Sequence, residues 1–128
     1  MFRKVGEADR VHKVLVVDDH EPIRQTLSIA LDDEGFQVEC AANGREALQI
    51  LEHWLPCVIL LDLMMPVMDG WTFREKQRHL ADGAKDVPVV LLSAAGRLDH
   101  ERRALDAAAV IPKPFDLDSV VSTIEAVC

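Results

Sequence analysis

The 128-residue sequence has no long hydrophobic run, and no apolar stretch approaches the ~20 residues that a membrane-spanning helix needs. The opening segment MFRKVGEADR carries no apolar core behind its basic residues, so we expect neither a secretory signal nor membrane insertion. Basic residues are also few: 14 Lys and Arg stand against 22 Asp and Glu, giving a net charge of −8 with neutral histidines. Because affinity for nucleic acids depends on cations that neutralise phosphates, we expect no direct binding to nucleic acid.

Cysteine is scarce, and its positions form no recognisable metal or redox motif. The three cysteines are odd in number and lack C-x-x-C spacing. Cys40 and Cys57 lie in apolar stretches, which favours inert core thiols. We therefore expect a reduced, cytoplasmic protein.

The length favours a single domain. Residues 1–12 are polar and unpatterned, and they predict an N-terminal extension before a folded domain over residues 13–128. Continuous apolar runs rich in β-branched residues predict strands buried on both faces, as in a parallel sheet. These runs are Val14–Val17, Val58–Leu61, Val89–Leu92 and Val110–Ile111, with the more polar, alternating Gln37–Ala41 as an edge strand.

Segments of helical periodicity separate these runs. The first helix has Pro22 near its start and ends at Gly35, and Asp116 is a suitable N-cap for the last. Four of the five predicted helices lie around residues 23–31, 71–80, 98–108 and 117–127. The remaining one, second in the chain, is opened by Asn43-Gly44 and marked by apolar residues over 47–51. Because parallel strands need crossover helices, the β-α order repeated five times predicts an open, doubly wound α/β sheet.

Each main apolar run stops at a polar residue. Val17 is followed by Asp18-Asp19, Leu61 by Asp62, Leu92 by Ser93, and Ile111 by Pro112-Lys113-Pro114. Since the carboxyl ends of parallel strands share one edge of the sheet, these side chains are predicted to converge in a crevice where such folds bind ligands.

Three carboxylates, a hydroxyl and an ammonium together suit phosphoryl chemistry. A divalent hard cation such as Mg²⁺ relieves the repulsion between carboxylates, and a carboxylate can attack phosphorus to form an aspartyl-phosphate. Taken singly, the residues have plainer roles. The Asp18-Asp19 pair suits a turn, Ser93 suits a helix N-cap and Lys113 suits an exposed turn. Because these residues are predicted to converge with Asp62, we favour a shared phosphoryl site over the separate structural roles.

At these four positions the sequence resembles the receiver domain of two-component response regulators, over residues 13–127. The matching segments are Val16–Asp19, Asp62–Gly70, Ser93-Ala94 and Lys113–Phe115, in that order. The resemblance implies a flavodoxin-like, five-stranded parallel sheet in the order 2-1-3-4-5, with five helices.

The resemblance also implies a role for each residue. Asp62 would be the phosphoacceptor, and Mg²⁺ would be held by Asp18, Asp19, Asp62 and the backbone carbonyl of Met64. Ser93 would supply the hydroxyl that moves toward the phosphoryl group, and Lys113 would pair with it. The Lys113–Pro114 bond would be cis, and Gly70 would supply backbone freedom where the loop ends.

Two departures from the family pattern stand out. Val110 occupies the position, three before the lysine, where the family usually has an aromatic residue that moves with the hydroxyl. Met64 and Ala95 flank the expected path of the hydrolytic water, and neither side chain can orient water by hydrogen bonding. We therefore expect an incomplete hydroxyl–aromatic switch and slow autodephosphorylation.

The function implied is a phosphorylation-activated signalling switch, not an enzyme acting on an external substrate. The implied phosphodonor is a sensor histidine kinase or a histidine phosphotransfer protein, and the implied recipient is a downstream protein effector. The domain would be a monomer or a phosphorylation-dependent homodimer. The alternative is a Mg²⁺-dependent phosphohydrolase with an aspartate nucleophile, although such enzymes usually carry a second carboxylate where Met64 stands.

Overall fold

Strands and helices alternate along the chain. The computed structural model describes residues 12–63, 65, 67–94 and 98–128, so that of the predicted extension over residues 1–12 only His12 is described. The elements are β1 (Lys13–Val17), α1 (Glu21–Asp33), β2 (Gln37–Ala41), α2 (Gly44–Leu51), β3 (Val58–Asp62), α3 (Gly70–Gln77), a 3₁₀ turn (Ala84–Asp86), β4 (Val89–Ala94), α4 (Leu98–Ala104), β5 (Ala109–Lys113) and α5 (Leu117–Val127). The strands form one parallel sheet in the order β2-β1-β3-β4-β5. The predicted doubly wound fold and its strand order are confirmed.

Apolar side chains cover both faces of the sheet. Leu15 and Val17 of β1 belong to a buried cluster with Phe73 of α3 and residues of α2, whereas Val14 and Val16 belong to a second cluster on the other face. That second cluster contains side chains of α1 and α5. Because successive side chains of a strand point to opposite faces, a strand covered by helices on both sides must be apolar throughout.

Local sequence signals set several helix ends. Asn43 Oδ1 accepts from the backbone N–H of Glu46, and the Glu46 carboxylate accepts from that of Ala42, so α2 begins with a reciprocal cap. Asp116 caps α5 by accepting from the N–H of Ser119, and this hydrogen bond lowers the pKa of the Asp116 carboxyl. The cap predicted at Asp116 is therefore confirmed.

The C-terminal ends of α1 and α4 share one backbone motif. After α1, Gly35 adopts a φ of 92° and the N–H of Phe36 donates to the Leu31 carbonyl. After α4, Asp106 adopts a φ of 52° and the N–H of Ala107 donates to the carbonyl of Arg102. This left-handed turn ends α4 at Ala104, whereas the sequence predicted a helix to residue 108. The prediction was too long because Asp106 is not a glycine, so the sequence shows no obvious stop signal.

α3 is also shorter than predicted. It ends at Gln77, and residues 78–80 continue in tighter turns, with the N–H of Leu80 donating to the Gln77 carbonyl. Gln77 is fully buried, and its amide donates to the carbonyls of Ala84 and Val87, both at 3.0 Å. This side chain therefore connects the end of α3 to the segment that leads into β4.

A buried arginine extends this network. Arg74 of α3 is 8% exposed, and it donates to the carbonyls of Leu105 and Asp106 and to Gln77 Oε1 at 2.7–3.0 Å. Burial lowers the pKa of the Arg74 guanidinium. Since its hydrogen bonds satisfy backbone carbonyls of the connection between α4 and β5, α3 and that connection are held together.

The cysteine prediction needs a correction. Cys57 is not a free core thiol, since it forms a disulfide with Cys128, 71 positions later in the sequence. Cys57 directly precedes β3, and Cys128 directly follows α5, so the fold brings together two residues whose spacing matches no local motif. Cys40 is free and half-buried, and burial raises the pKa of its thiol.

Helix length bears on membrane association. Within the described parts of the chain, no helix combines the length and apolarity that crossing a bilayer requires.

Candidate functional site

The predicted polar residues lie at the carboxyl edge of the sheet. β1 ends one residue before Asp18, β3 ends at Asp62 and β5 ends at Lys113. Ser93 is the next-to-last residue of β4. Asp18 is fully buried, while Asp62 and Ser93 are 7% and 8% exposed. Charged groups with so little access to water are costly unless they are paired, so their partners decide what the site can do.

Asp18, Asp19 and Asp62 form the acidic part of the site. Each contributes one carboxylate oxygen to a group whose members lie within 4.8 Å of one another. Asp18 is held in place because its Oδ1 accepts from the N–H of His20 at 2.9 Å and its carbonyl accepts from Arg24 at 2.8 Å. Asp19 is exposed, so the cluster opens to solvent on that side.

Lys113 provides the positive charge. Its Nζ donates to Asp18 Oδ2 at 3.2 Å and lies 3.6 Å from Asp62 Oδ2, so one ammonium serves both buried carboxylates. Three carboxylates and one ammonium leave a formal charge of −2 on the group. A divalent cation with a preference for oxygen ligands fits this donor set in both charge and ligand type.

The Lys113–Pro114 peptide bond is cis, as predicted from the resemblance.

Ser93 has a partner that sequence reasoning did not identify. Its hydroxyl donates to Glu101 Oε1 of α4 at 2.9 Å. The sheet register pairs Asp62 of β3 with Leu92, the residue just before Ser93. The hydroxyl therefore sits at the carboxyl edge of a strand adjacent to Asp62 while it is bonded to α4. Ser93 and Glu101 are eight residues apart and belong to different elements, β4 and α4, so no helical or strand periodicity could have indicated this contact.

Gly70 is required for space rather than for backbone freedom, which corrects the prediction. A Cβ atom at this position would lie 2.8 Å from the Leu63 Cα and 3.1 Å from the Asp62 carbonyl oxygen. The N–H of Gly70 also donates to the Leu63 carbonyl at 2.9 Å, and Asp69 caps α3. The start of α3 is thus packed directly onto the backbone that follows Asp62.

Comparison with known proteins adds independent observations. Residues 14–125 match the family described as the response regulator receiver domain. The chain belongs to this family. A chemotaxis protein CheY4 of Vibrio cholerae has a solved structure that superposes on this receiver domain with a TM-score of 0.85. It is 36% identical, and the match covers 92% of this chain and 99% of that one.

Curated relatives are longer than this receiver domain. Response regulator MprA of Mycolicibacterium vanbaalenii is 36% identical over 116 residues, which cover 89% of this chain and 49% of that protein. Regulatory protein AtoC of Escherichia coli is 36% identical over 113 residues, 86% of this chain and 24% of that protein. The chain therefore spans about half or less of the length of these relatives.

Family membership establishes the general activity. Receiver domains of response regulators are phosphorylation-activated signalling switches rather than classical enzymes, and they generally bind Mg²⁺ in an acidic pocket. They interact with histidine kinases and downstream effectors. The acidic cluster of this receiver domain is the matching feature.

The structure describes the first of the two departures from the family pattern, at Val110, but not the second, at Met64 and Ala95. Val110 lies half-buried in β5 and packs against the apolar cluster that contains Leu91 and Leu105. The valine side chain has no aromatic ring and no polar atom, so it cannot perform the rotation that an aromatic residue performs at this position in the family. Met64 and Ala95 lie outside the described residues, so the predicted metal contact of the Met64 carbonyl and the predicted slow autodephosphorylation stay predictions.

Proposed function

We propose that this receiver domain accepts a phosphoryl group on Asp62 in a Mg²⁺-dependent reaction and then changes a protein-binding face. One observation carries the proposal. Lys113 contacts both Asp18 and Asp62 across 95 and 51 positions of sequence, beside a third carboxylate from Asp19. Such an arrangement brings a nucleophile, a counter-charge and a cation-binding group to one point, which is what phosphoryl transfer requires.

The chain's own residues account for the transfer step. A carboxylate oxygen of Asp62 attacks the phosphorus of a phosphohistidine, forming a P–O bond while the P–N bond breaks. The electron pair of that bond leaves with the imidazole. Asp18, Asp19, Asp62 and the Met64 carbonyl are the proposed ligands of Mg²⁺, which when bound would neutralise charge on the transferring group. Lys113 is placed to pair with a phosphoryl oxygen on Asp62.

Ser93 links this chemistry to the surface of the domain. Its hydroxyl has one proton to donate, and in the unphosphorylated structure that proton goes to Glu101 of α4. Donation to a phosphoryl oxygen instead would break the bond to Glu101 and free α4 to move. Because Val110 replaces an aromatic residue, α4 is the element that we propose responds to phosphorylation.

We further propose the biological setting. The phosphodonor is a sensor histidine kinase or a histidine phosphotransfer protein, and the recipient is a downstream protein effector, in the cytoplasm. The receiver domain occupies residues 13–128, after an extension over residues 1–12. It is a monomer or a phosphorylation-dependent homodimer, and sedimentation with and without the phosphoryl mimic beryllofluoride separates these two states.

Incubation with acetyl phosphate and Mg²⁺, followed by intact-protein mass spectrometry, tests the proposal. We expect one phosphoryl group per chain, absent without Mg²⁺ and absent in Asp62→Ala. Asp82→Ala is the matched control, because Asp82 is exposed and its ion pair with Lys85 lies outside the acidic cluster. Labelling that persists in Asp62→Ala at the wild-type level would contradict the assignment of Asp62.

The same incubation distinguishes the alternative. An aspartate-nucleophile phosphohydrolase would release many equivalents of inorganic phosphate per chain, and a signalling switch would release little beyond the acetyl phosphate background. Phosphate release that exceeds the protein concentration many times and depends on Asp62 would favour the hydrolase.

A further inference from the structure

Three metal-ligating side chains meet at the amino end of the sheet. His12 directly precedes β1, Cys57 directly precedes β3, and Cys128 directly follows α5. One ligand atom of each lies within 4.8 Å of the others. Because Asp18 directly follows β1 and Asp62 ends β3, the two clusters lie at opposite ends of the same strands and are separated by roughly 16–20 Å.

Each of these residues is held by its backbone. The N–H of Cys57 donates to the Lys13 carbonyl at 2.8 Å, and the His12 carbonyl accepts from the N–H of Gln37 at 2.9 Å. The N–H of Cys128 donates to the carbonyl of Ile124 at 2.8 Å. These backbone hydrogen bonds place the ends of β1, β3 and α5 that carry the three residues beside one another.

The imidazole of His12 has a packing partner as well. Its ring centroid lies 6.2 Å from that of Phe36, with the two planes inclined by 41°. This contact restrains the ring beside the two sulfurs. A ligand whose orientation is restrained before binding loses little entropy when it binds a metal.

We propose that, once the disulfide is reduced, Cys57, Cys128 and His12 form a site for Zn²⁺ or a similar thiophilic divalent ion. Zn²⁺ binds thiolate sulfur at about 2.3 Å and imidazole nitrogen at about 2.0–2.1 Å in a tetrahedral arrangement, so two ligand atoms on one ion are roughly 3.5–3.8 Å apart. The three ligand atoms lie within 4.8 Å of one another, and because the two sulfurs are bonded to each other, they have to move apart after reduction to share one ion with the imidazole. Three protein ligands leave the fourth tetrahedral position for water.

Oxidation and metal binding exclude each other at this site. Reduction transfers two electrons and two protons from a dithiol to the Cys57–Cys128 bond, which yields two thiols and leaves the reductant as a disulfide. Metal binding then releases the two thiol protons. In a reducing compartment the metal-binding form is favoured, and in an oxidising one the disulfide is favoured.

Ligand type distinguishes the two clusters. Thiolates and imidazole select Zn²⁺ and related ions, whereas carboxylate oxygens select Mg²⁺. The inference does not depend on the proposed phosphorylation of Asp62, since the two sites share no residue.

Cobalt(II) is a direct probe, because a thiolate ligand on Co²⁺ gives an intense sulfur-to-metal charge-transfer absorption that carboxylate ligands do not give. The protein is reduced with a phosphine, titrated with Co²⁺ in excess Mg²⁺, and then titrated with Zn²⁺. We expect one equivalent of Co²⁺ with the thiolate absorption, and its displacement by Zn²⁺. The oxidised protein should show no such absorption.

Variants assign the ligands. Cys57→Ser and Cys128→Ser should each lose at least half of the thiolate absorption. His12→Ala should weaken Co²⁺ binding about 100-fold or more, because residues that only support a metal ligand already contribute 10–100-fold to metal affinity. Cys40→Ser is the matched control and should bind as the wild type does, because Cys40 lies outside the cluster. Circular dichroism confirms that each variant is folded.

Three results would overturn the proposal. They are the absence of thiolate absorption in the reduced wild type, full absorption in folded Cys128→Ser, and unchanged Co²⁺ affinity in folded His12→Ala. Phosphorylation of Asp62 is measured separately on the same samples, so failure of one site is distinguishable from failure of the other.

Discussion

Replacing Glu101 tests how the phosphoryl site is coupled to α4. In the structure the Ser93 hydroxyl donates to Glu101 Oε1 at 2.9 Å. A hydroxyl that must donate to a phosphoryl oxygen first has to give up this acceptor. Glu101→Ala removes the competing acceptor, so we expect tighter binding of beryllofluoride in the presence of Mg²⁺.

The size of the effect follows from the type of hydrogen bond. A hydrogen bond to a charged group contributes about 1.5–3 kcal/mol, and a neutral one contributes about 1 kcal/mol. Ser93 is 8% exposed but Glu101 is only half-buried, so solvent screening places this bond at the lower end, near 1.5 kcal/mol. Glu101→Ala should therefore tighten beryllofluoride binding about tenfold, and Glu101→Gln about twofold, since the amide oxygen keeps a neutral bond.

Titration calorimetry with beryllofluoride at saturating Mg²⁺ provides the assay. Arg102→Ala is the matched control, because Arg102 is an exposed neighbour in α4 and carries the same change to alanine. Loss of a negative charge near the site would also favour an anion, so the measurement is repeated in a Ser93→Ala background. There the effect of Glu101→Ala should disappear if it acts through the hydroxyl.

Two outcomes would refute this reasoning. One is an unchanged or weaker affinity in Glu101→Ala while Arg102→Ala behaves as the wild type. The other is a gain in affinity of equal size with and without the Ser93 hydroxyl, which would assign the effect to charge alone.

Urea unfolding tests three further features of the fold. Cys128→Ser should lower the unfolding free energy of the oxidised protein by about 4 kcal/mol, because the disulfide closes a loop of about 70 residues, and Cys40→Ser should change it little. Gly70→Ala should cost about 1–3 kcal/mol, because its Cβ would lie 2.8 Å from the Leu63 backbone. Arg74→Ala should cost about 3 kcal/mol, since it leaves buried carbonyls without their donor.

Controls for these stability measurements come from the same chain. With a reductant present, wild type and Cys128→Ser should unfold at the same urea concentration, and a persisting difference would contradict the role given to the disulfide. Wild-type stability in Gly70→Ala would show that the start of α3 can move away from the loop after Asp62. For Arg74, full stability in the alanine variant would mean that water replaces the guanidinium.

Local patterns were sufficient for the architecture. Val14–Val17 and Val58–Leu61 are apolar at every position, and only a strand covered on both faces requires that. The caps at Asn43 and Asp116 depend on one side chain and a backbone N–H three residues later. Such signals act within a few residues, so they can be seen in the sequence before the fold is known.

The end of α4 shows where local signals fail. A left-handed residue ends the helix, but Asp106 occupies that position instead of glycine, so composition does not mark it. The partner of Arg74 is equally hidden, because the carbonyls it binds belong to residues 31 and 32 positions away. Nothing in a helical period indicates that a particular arginine will be buried.

The sequence by itself determined the fold class and placed polar residues at the strand ends. It gave the strand order only through the resemblance to a family. The tertiary structure alone decided which atoms meet: Lys113 with Asp18 and Asp62, Ser93 with Glu101, and Cys57 with Cys128. The physical reason is range. Periodicity and capping reflect neighbours within a turn of helix or a strand, whereas these contacts depend on how twisted strands and their crossover helices bring distant segments to the two ends of one sheet.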